Sequence, residues 1–447
     1  MSLDHSPPRQ KLGKRLINRQ SRGSLTILFG AAGGQVATAL ASPVISRIYS
    51  PSEVGLFSVV LSIAMMLGVA GALRYELAIP LPRQPQDAES VVGIGLCCIV
   101  ATTGLGLMAA APSRSWLADR LNQPGLHEWL FAAPLLAAVI AAFSLFSQAA
   151  LRQQNYRAVG RRNLVQSVAT NALQIGLGLI SLKTGGMTVG YGAGQLLGTV
   201  TLAKAAGILT PSRMRTLRLS QLREVAVRYI RFPLVLLPSG FLNILGLQLP
   251  LVLMSMLYGS QVAGWVGMSQ RILALPLSLV GAAIGQVFMS ELARSTRQLD
   301  GGSKQMFLAA SKKLVALAAL IFVVITVAGP WLFSFALGDE WRESGVYARA
   351  LALGLAGQLV ASPLSQTLVV LERQWLQLAW DAARTVAVVA AVLIGHQLGS
   401  VVGTVWALSI VSGLAYVLSW ILSYRALVTF EKKLSAEAET DPVAPVR

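Results

Sequence analysis

The sequence predicts an all-α integral membrane protein of about 12 transmembrane helices, arranged as two similar six-helix lobes. Three observations carry this expectation. The chain of 447 residues is only 13% charged at a mean hydropathy of +0.61, too little polar surface to cover even two soluble domains. About a dozen apolar runs reach the roughly 20 residues of helix needed to cross the hydrocarbon. A short pattern also recurs: YSPSEVG (Tyr49 to Gly55) returns as YGSQVAG (Tyr258 to Gly264), 209 positions later and near half the chain length. Each copy follows a proline-bearing span, with Pro43 or Pro250, and precedes a long apolar one, as expected of two homologous halves in the same orientation.

The first span, residues 24–46, follows a basic segment, residues 1–23, with Arg9, Lys11, Lys14, Arg15, Arg19 and Arg22. That segment is too long, and the span too extended, for a signal peptide, so the span reads as a retained helix and the segment before it as cytoplasmic. Spans 54–73, 90–111, 127–150, 163–182 and 188–209 complete an N-lobe over residues 24–209. A basic linker, residues 210–232, carries Arg213, Arg215, Arg218, Arg223, Arg228 and Arg231. Spans 233–257, 263–292, 314–337, 347–371, 376–396 and 401–424 form a C-lobe over residues 233–424, and residues 425–447 form a tail.

Charge sets the orientation. Besides the linker, the even-numbered connections hold Arg152, Arg157, Arg161, Arg162, Arg294, Arg297, Lys304, Lys312 and Lys313, and the tail holds Arg425, Lys432 and Lys433. The opposite loops are poorer, with Arg47, Arg114, Arg120, Lys183, Arg342 and Arg349. Positive residues stay inside, so both termini are expected in the cytoplasm. The net charge of +18 then reflects topology and anionic lipid, and nucleic-acid binding is not expected.

Several chemistries are disfavoured. Cys97 and Cys98 are adjacent in one span and read as packing residues. His5, His127 and His396 lack metal-ligand spacing. GAAGGQ (Gly30 to Gln35) has no P-loop lysine and sits in an apolar helix.

Polar residues inside spans face protein or water, because lipid cannot satisfy them. Asn163, Gln166, Ser167, Thr170, Asn171 and Gln174 recur at three- and four-residue spacing and form one face of the fifth span. Ser239, Asn243 and Gly246 line the seventh, and Gln358, Ser362 and Ser365 the tenth. Such stripes serve either a hydrated cavity or interhelical packing, and Gly30, Gly34, Thr38 and Ser42 of the first span read as packing. Arg271, beside Gln270, stands in the apolar run WVGMSQRILALPLSLV with no carboxylate near in sequence. Arg74 and Glu76 interrupt the end of the second span, and Arg47 closes the first. Asp381 and Arg384, three apart, can pair on one helix face. A guanidinium in a membrane cavity suits phosphate or pyrophosphate, which it grips bidentately while staying charged. Arg47 and Arg74 can equally snorkel to headgroups. Pro43, Pro233, Pro238, Pro250, Pro276 and Pro363 allow kinks.

The segments SRIYSPSEVGLFSVVLSIA, LRYELAIPLP, SLFSQAALRQQNYRAVGRRN and the run from FPLVLLPSGF to FMSELAR resemble bacterial polysaccharide flippases of the O-antigen (Wzx-like) type. These belong to the multidrug/oligosaccharidyl-lipid/polysaccharide (MOP) exporter superfamily. The resemblance extends from about residue 24 to residue 424. It implies a MATE-like pair of six-helix lobes in the bacterial inner membrane. It implies no enzymatic activity or cofactor, but movement of an undecaprenyl-pyrophosphate-linked repeat unit of O-antigen, capsule or exopolysaccharide to the periplasmic leaflet. The drive would be a proton or sodium coupling ion, or the membrane potential; the partners would be membrane lipid, the lipid-linked oligosaccharide, and polymerase and chain-length machinery.

On this basis Arg47, Arg74 and Arg271 are expected to attract the pyrophosphate, and Asn163, Gln166, Asn171, Gln174, Asn243, Gln270 and Gln358 the glycan. Glu76, Asp381 and Arg384 are the coupling candidates, although an arginine beside each carboxylate opposes proton binding. Two alternatives stand beside this reading. A drug/cation antiporter of the same superfamily would need a buried carboxylate. A membrane-embedded polysaccharide polymerase or ligase would need a large outer loop, whereas the longest, residues 112–126, offers only Asp119 between Arg114 and Arg120.

Overall fold

The computed structural model describes residues 8–120, 123–207, 219–281, 283–285, 287–289, 291–292 and 302–440. Residues 1–7 and 441–447 of the expected terminal segments, and Arg213, Arg215, Arg218, Arg294 and Arg297 of the expected inner connections, lie outside the described residues. The described residues contain no strand. In the first half run α1 (Pro8–Ile48), α2 (Pro51–Gly71), α3 (Pro85–Arg120), the short α4 (Leu126–Trp129), α5 (Ala132–Arg152), α6 (Tyr156–Leu179) and α7 (Lys183–Ala205). After α8 (Leu219–Arg228) come α9 (Leu237–Pro276), α10 (Ser303–Leu337), α11 (Arg342–Leu364), the short α12 (Gln366–Val370), α13 (Gln374–Gln397) and α14 (Val401–Thr440).

Local chemistry sets the ends of these helices. α2 begins with a capping box: the Ser50 hydroxyl accepts from the Glu53 amide, and the Glu53 carboxylate accepts from the Ser50 amide at 2.9 Å, with Pro51 at the first helical position. α9 comprises two spans broken at Gly259, whose φ of 86° is a conformation that side chains disfavour. Pro250 sits within the first limb of α9, while Pro233 falls in a π-helical turn, Phe232–Leu236. α3 continues through Pro112 to Arg120, so most of the expected outer loop at residues 112–126 is helical.

Among the described residues, nine segments are long and apolar enough to cross a membrane, one of them (Phe232–Met289) containing both limbs of α9. α6 and α7, 24 and 23 residues long, are more polar yet of spanning length. Counting the limbs separately and adding α6 and α7 gives the twelve crossings expected. Their outward surface is apolar, with Phe29, Leu40, Val100, Met108, Val327 and Phe335 all exposed, as lipid requires. Cys97 joins that exposed surface instead of packing, while Cys98 is half-buried.

The repeat reappears in the packing. α1 lies against α6 as α9 lies against α13; α6 pairs with α7 as α13 pairs with α14; α2 packs on α5 as α9 packs on α11. The lobes meet chiefly through α2 and α9. One apolar core crosses this junction and includes Tyr49, Phe57, Met254 and Trp341, while Leu145 and Phe146 anchor the N-lobe and Phe307 and Leu427 the C-lobe.

Candidate functional site

A cavity of about 470 Å³ lies where the lobes face each other, lined by α1, α2, α6, α7 and α9. The amide stripe of α6 faces it through Gln166, Ser167, Thr170, Asn171 and Gln174, and the second limb of α9 contributes Gln270 and Arg271. Arg271 is the only charged side chain on the wall, and no carboxylate lines the cavity among the described residues.

Arg271 is held by geometry that leaves Asn171 one orientation. A guanidinium only donates, so Asn171 turns its Oδ1 to Arg271 Nη2 at 3.1 Å. Its Nδ2 then donates to the Ser167 carbonyl at 2.7 Å and to Thr38 Oγ1 at 3.2 Å. Thr38 in turn donates to the Gly34 carbonyl, and Gly34 packs against Ser167. The small-residue face of α1 therefore both packs and supports the site. Two further buried atoms on the wall, Thr170 Oγ1 and Gln174 Oε1, have no hydrogen-bond partner among the described residues. Such groups call for a polar ligand or water.

Sequence reasoning missed several wall residues. Gln35 lies in the glycine-rich stretch of α1, Gln248 and Tyr191 interrupt apolar runs, and Ser62 donates to Gln248 Oε1 at 3.1 Å across the lobes. A lone polar residue inside a span was the available signal. A second polar chamber of about 80 Å³, lined by Gln358, Arg384, Ser409, Ser412 and Tyr416, shares Gln270 with the main cavity.

The other candidates lie elsewhere. Arg47 is exposed at the last turn of α1 and donates to the Pro43 carbonyl at 2.9 Å. Arg74 pairs with Glu76 at 3.5 Å and packs against Gly240. Asn243 donates to Asp381 Oδ1 at 2.8 Å, and Asp381 meets Arg384 at 3.5 Å within the C-lobe. Arg384 also donates to Tyr416 Oη at 2.9 Å and sits over the Trp380 ring. Gln358 opens onto the smaller chamber.

Arg162 is a correction to the sequence reading. Expected in an inner connection, it lies on the second turn of α6 because Asn155 caps that helix at the Ala158 amide. It is 3% exposed, donates to Asn163 Oδ1 at 3.1 Å and Gln195 Oε1 at 2.7 Å, and lies over the Phe143 ring face. Asn163 thus serves Arg162 and does not line the cavity.

Comparison with known proteins places these features in context. The family model described as "Polysaccharide biosynthesis protein" matches residues 44–346. The succinoglycan biosynthesis transport protein ExoT of Rhizobium meliloti is 24% identical over 390 residues, covering 86% of this chain and 76% of ExoT. Among solved structures, the lipid II flippase MurJ in an inward closed conformation superposes with a TM-score of 0.69 at 13% identity, covering 94% of this chain and 93% of MurJ. An inward-facing multidrug resistance MATE family transporter of the MOP superfamily gives 0.61 at 13% identity, over 91% of this chain and 96% of that one. At such identities the structural matches speak for the fold, a MATE-like pair of lobes.

Proposed function

Because the chain belongs to the polysaccharide biosynthesis protein family, we propose that it moves a pyrophosphate-linked lipid oligosaccharide across the bacterial inner membrane, from the cytoplasmic to the periplasmic leaflet. The observation that carries this reading is the lone charge of the cavity. Arg271 faces a wall of amides and hydroxyls on α6, interspersed with apolar side chains such as Phe57, Leu61 and Met268, with no carboxylate among the described lining residues. An anionic headgroup is attracted there, whereas a cationic drug is repelled. The names of two matches, a succinoglycan transport protein and a lipid II flippase, support a lipid-linked saccharide as the cargo class.

In this reading the guanidinium of Arg271 grips the pyrophosphate, and Gln166, Gln174, Gln35 and Gln248 hydrogen-bond glycan hydroxyls. The prenyl chain stays in the bilayer, so neither part of the cargo crosses a medium that cannot solvate it. In this orientation, which the charge distribution supports, the Pro51 end of α2 faces the periplasm. Moving negative charge outward, down an inside-negative potential, releases about 2.3 kcal/mol per charge per 100 mV. Both coupling candidates with carboxylates, Glu76 and Asp381, pair with arginines away from the wall of the main cavity, which favours the potential as the drive.

The test is deletion of the gene, with lipid-linked oligosaccharide quantified in each leaflet and complementation by wild type, Arg271→Ala and Arg271→Lys. Accumulation in the cytoplasmic leaflet, relieved by wild type and not by Arg271→Ala, is expected. Unchanged leaflet distribution with altered glycan length or attachment would instead assign the chain to polymerisation or ligation.

A further inference from the structure

The arginine buried in the N-lobe explains a feature of the cavity wall. Arg162 can only donate hydrogen bonds. Gln195, whose Oε1 lies 2.7 Å from Arg162 Nη2, therefore presents its oxygen to the arginine and its Nε2 to the other side. That Nε2 lies 2.8 Å from the hydroxyl of Tyr191. An amide NH₂ has no lone pair to offer, so the Tyr191 oxygen accepts, and the phenolic proton is left to point elsewhere. No described residue accepts it, and Tyr191 lines the same cavity as Arg271.

We infer that Tyr191 donates its phenolic proton to the anionic group held by Arg271, and that Arg162, acting through Gln195, is the positioning residue that directs that proton into the cavity. The inference rests on the anionic-cargo reading above and deepens it: the diphosphate recognised there meets a neutral donor beside a cation. Burying a guanidinium with no described carboxylate partner is costly in a membrane protein. Two amide oxygens and the Phe143 ring offset part of that cost. A glutamine–tyrosine pair without the arginine could reverse, with the phenol donating to the amide oxygen and its proton lost to the cavity.

Gln195→Glu tests this directly. A carboxylate at position 195 accepts from Arg162 and from Tyr191 alike, so the fold keeps its contacts while the phenolic proton is drawn away from the cavity. The full-length protein in detergent is titrated with farnesyl diphosphate, a short prenyl diphosphate, with Arg271→Ala and farnesol as controls. Loss of a hydrogen bond to a charged group corresponds to about tenfold or more in affinity. Tyr191→Phe and Gln195→Glu are each expected to weaken binding by about that factor, with thermal stability of Gln195→Glu preserved.

The added carboxylate also lowers the local positive field, and the double variant separates the two effects. Gln195→Glu in the Tyr191→Phe background is expected to cost less than about twofold. Wild-type affinity in Tyr191→Phe, or an equal loss from Gln195→Glu in both backgrounds, overturns the inference. Absence of wild-type binding, or binding indifferent to Arg271→Ala, overturns the anionic-cargo reading and the inference with it.

Discussion

Gly55 of α2 and Gly264 of α9, equivalent positions in the two halves of the chain, pack against each other's helices across the lobes. A Cβ on Gly55 would collide with the Ser260 carbonyl oxygen, and a Cβ on Gly264 with that of Pro51. The contact is reciprocal because Pro51 and Ser260 are related by the same 209-residue offset as the glycines. Ser46 and Trp341 close the same end: Ser46 Oγ donates to the Leu337 carbonyl at 2.8 Å, and Trp341 Nε1 donates to the Ser46 carbonyl at 2.9 Å. This end of the cavity is sealed by backbone approaching backbone.

Gly55→Val and Gly264→Val should each prevent that closure and shift the lobes toward an arrangement open at the Pro51 end. A cysteine at Ser58, on the cavity wall, in a background lacking Cys97 and Cys98, should then react faster with a membrane-impermeant thiol reagent from that side. Transport should fall with it. Unchanged labelling would show that the seal lies elsewhere.

Gly30 and Gly160 make a second close crossing, between α1 and α6 within the N-lobe. A Cβ on Gly30 would meet the Gly160 carbonyl, and one on Gly160 the Thr26 carbonyl. Overpacking here should destabilise without favouring either lobe arrangement. Gly160→Val is expected to cost about 1–3 kcal/mol, read as a lower thermal unfolding temperature in detergent with no gain in Ser58→Cys labelling.

Asp381 and Arg384 form a buried pair, each side chain 4% exposed. Asp381→Asn leaves the guanidinium without its counter-charge and should destabilise by about 3–5 kcal/mol. Asp381→Asn with Arg384→Gln should recover much of that loss. If the single variant instead alters the ion dependence of transport at full stability, Asp381 takes part in coupling.

Glu76 stands in the turn after α2, outside the spanning segments. Burial pushes its carboxyl above the ordinary range, more than a backbone hydrogen bond and the Arg74 guanidinium pull it down. The folded chain therefore holds this proton more tightly than the unfolded chain. The resulting stability is present below the unfolded carboxyl's pKa, about 4.3, and is lost as pH rises through the folded value. Glu76→Gln should flatten the decline of the unfolding temperature from acid to neutral pH, and an identical profile would contradict this.

Much of the molecule was legible in local pattern. Spanning runs announce themselves by length and hydropathy, the half-chain repeat by the spacing of Tyr49–Gly55 and Tyr258–Gly264, and the α6 amide face by three- and four-residue recurrence. Arg271 stood out because nothing near it in sequence could neutralise it. Arg162 did not, because arginines at a span's edge look alike whether they reach water or turn inward. That choice depends on where Asn155 starts the helix and on Gln195, 33 positions away.

The sequence by itself determined that the chain crosses a membrane about twelve times in two related halves, because lipid enforces helix length and apolarity residue by residue. Only the tertiary structure decided which polar side chains share a cavity. Gln166, Asn171 and Gln174 join Arg271 there, while Asn243 is drawn to Asp381 and Asn163 to Arg162. Similar amides on similar helices take different roles because helix rotation and the choice of neighbouring helix are settled by contacts between residues far apart in sequence, as between Arg271 and Asn171, 100 positions apart.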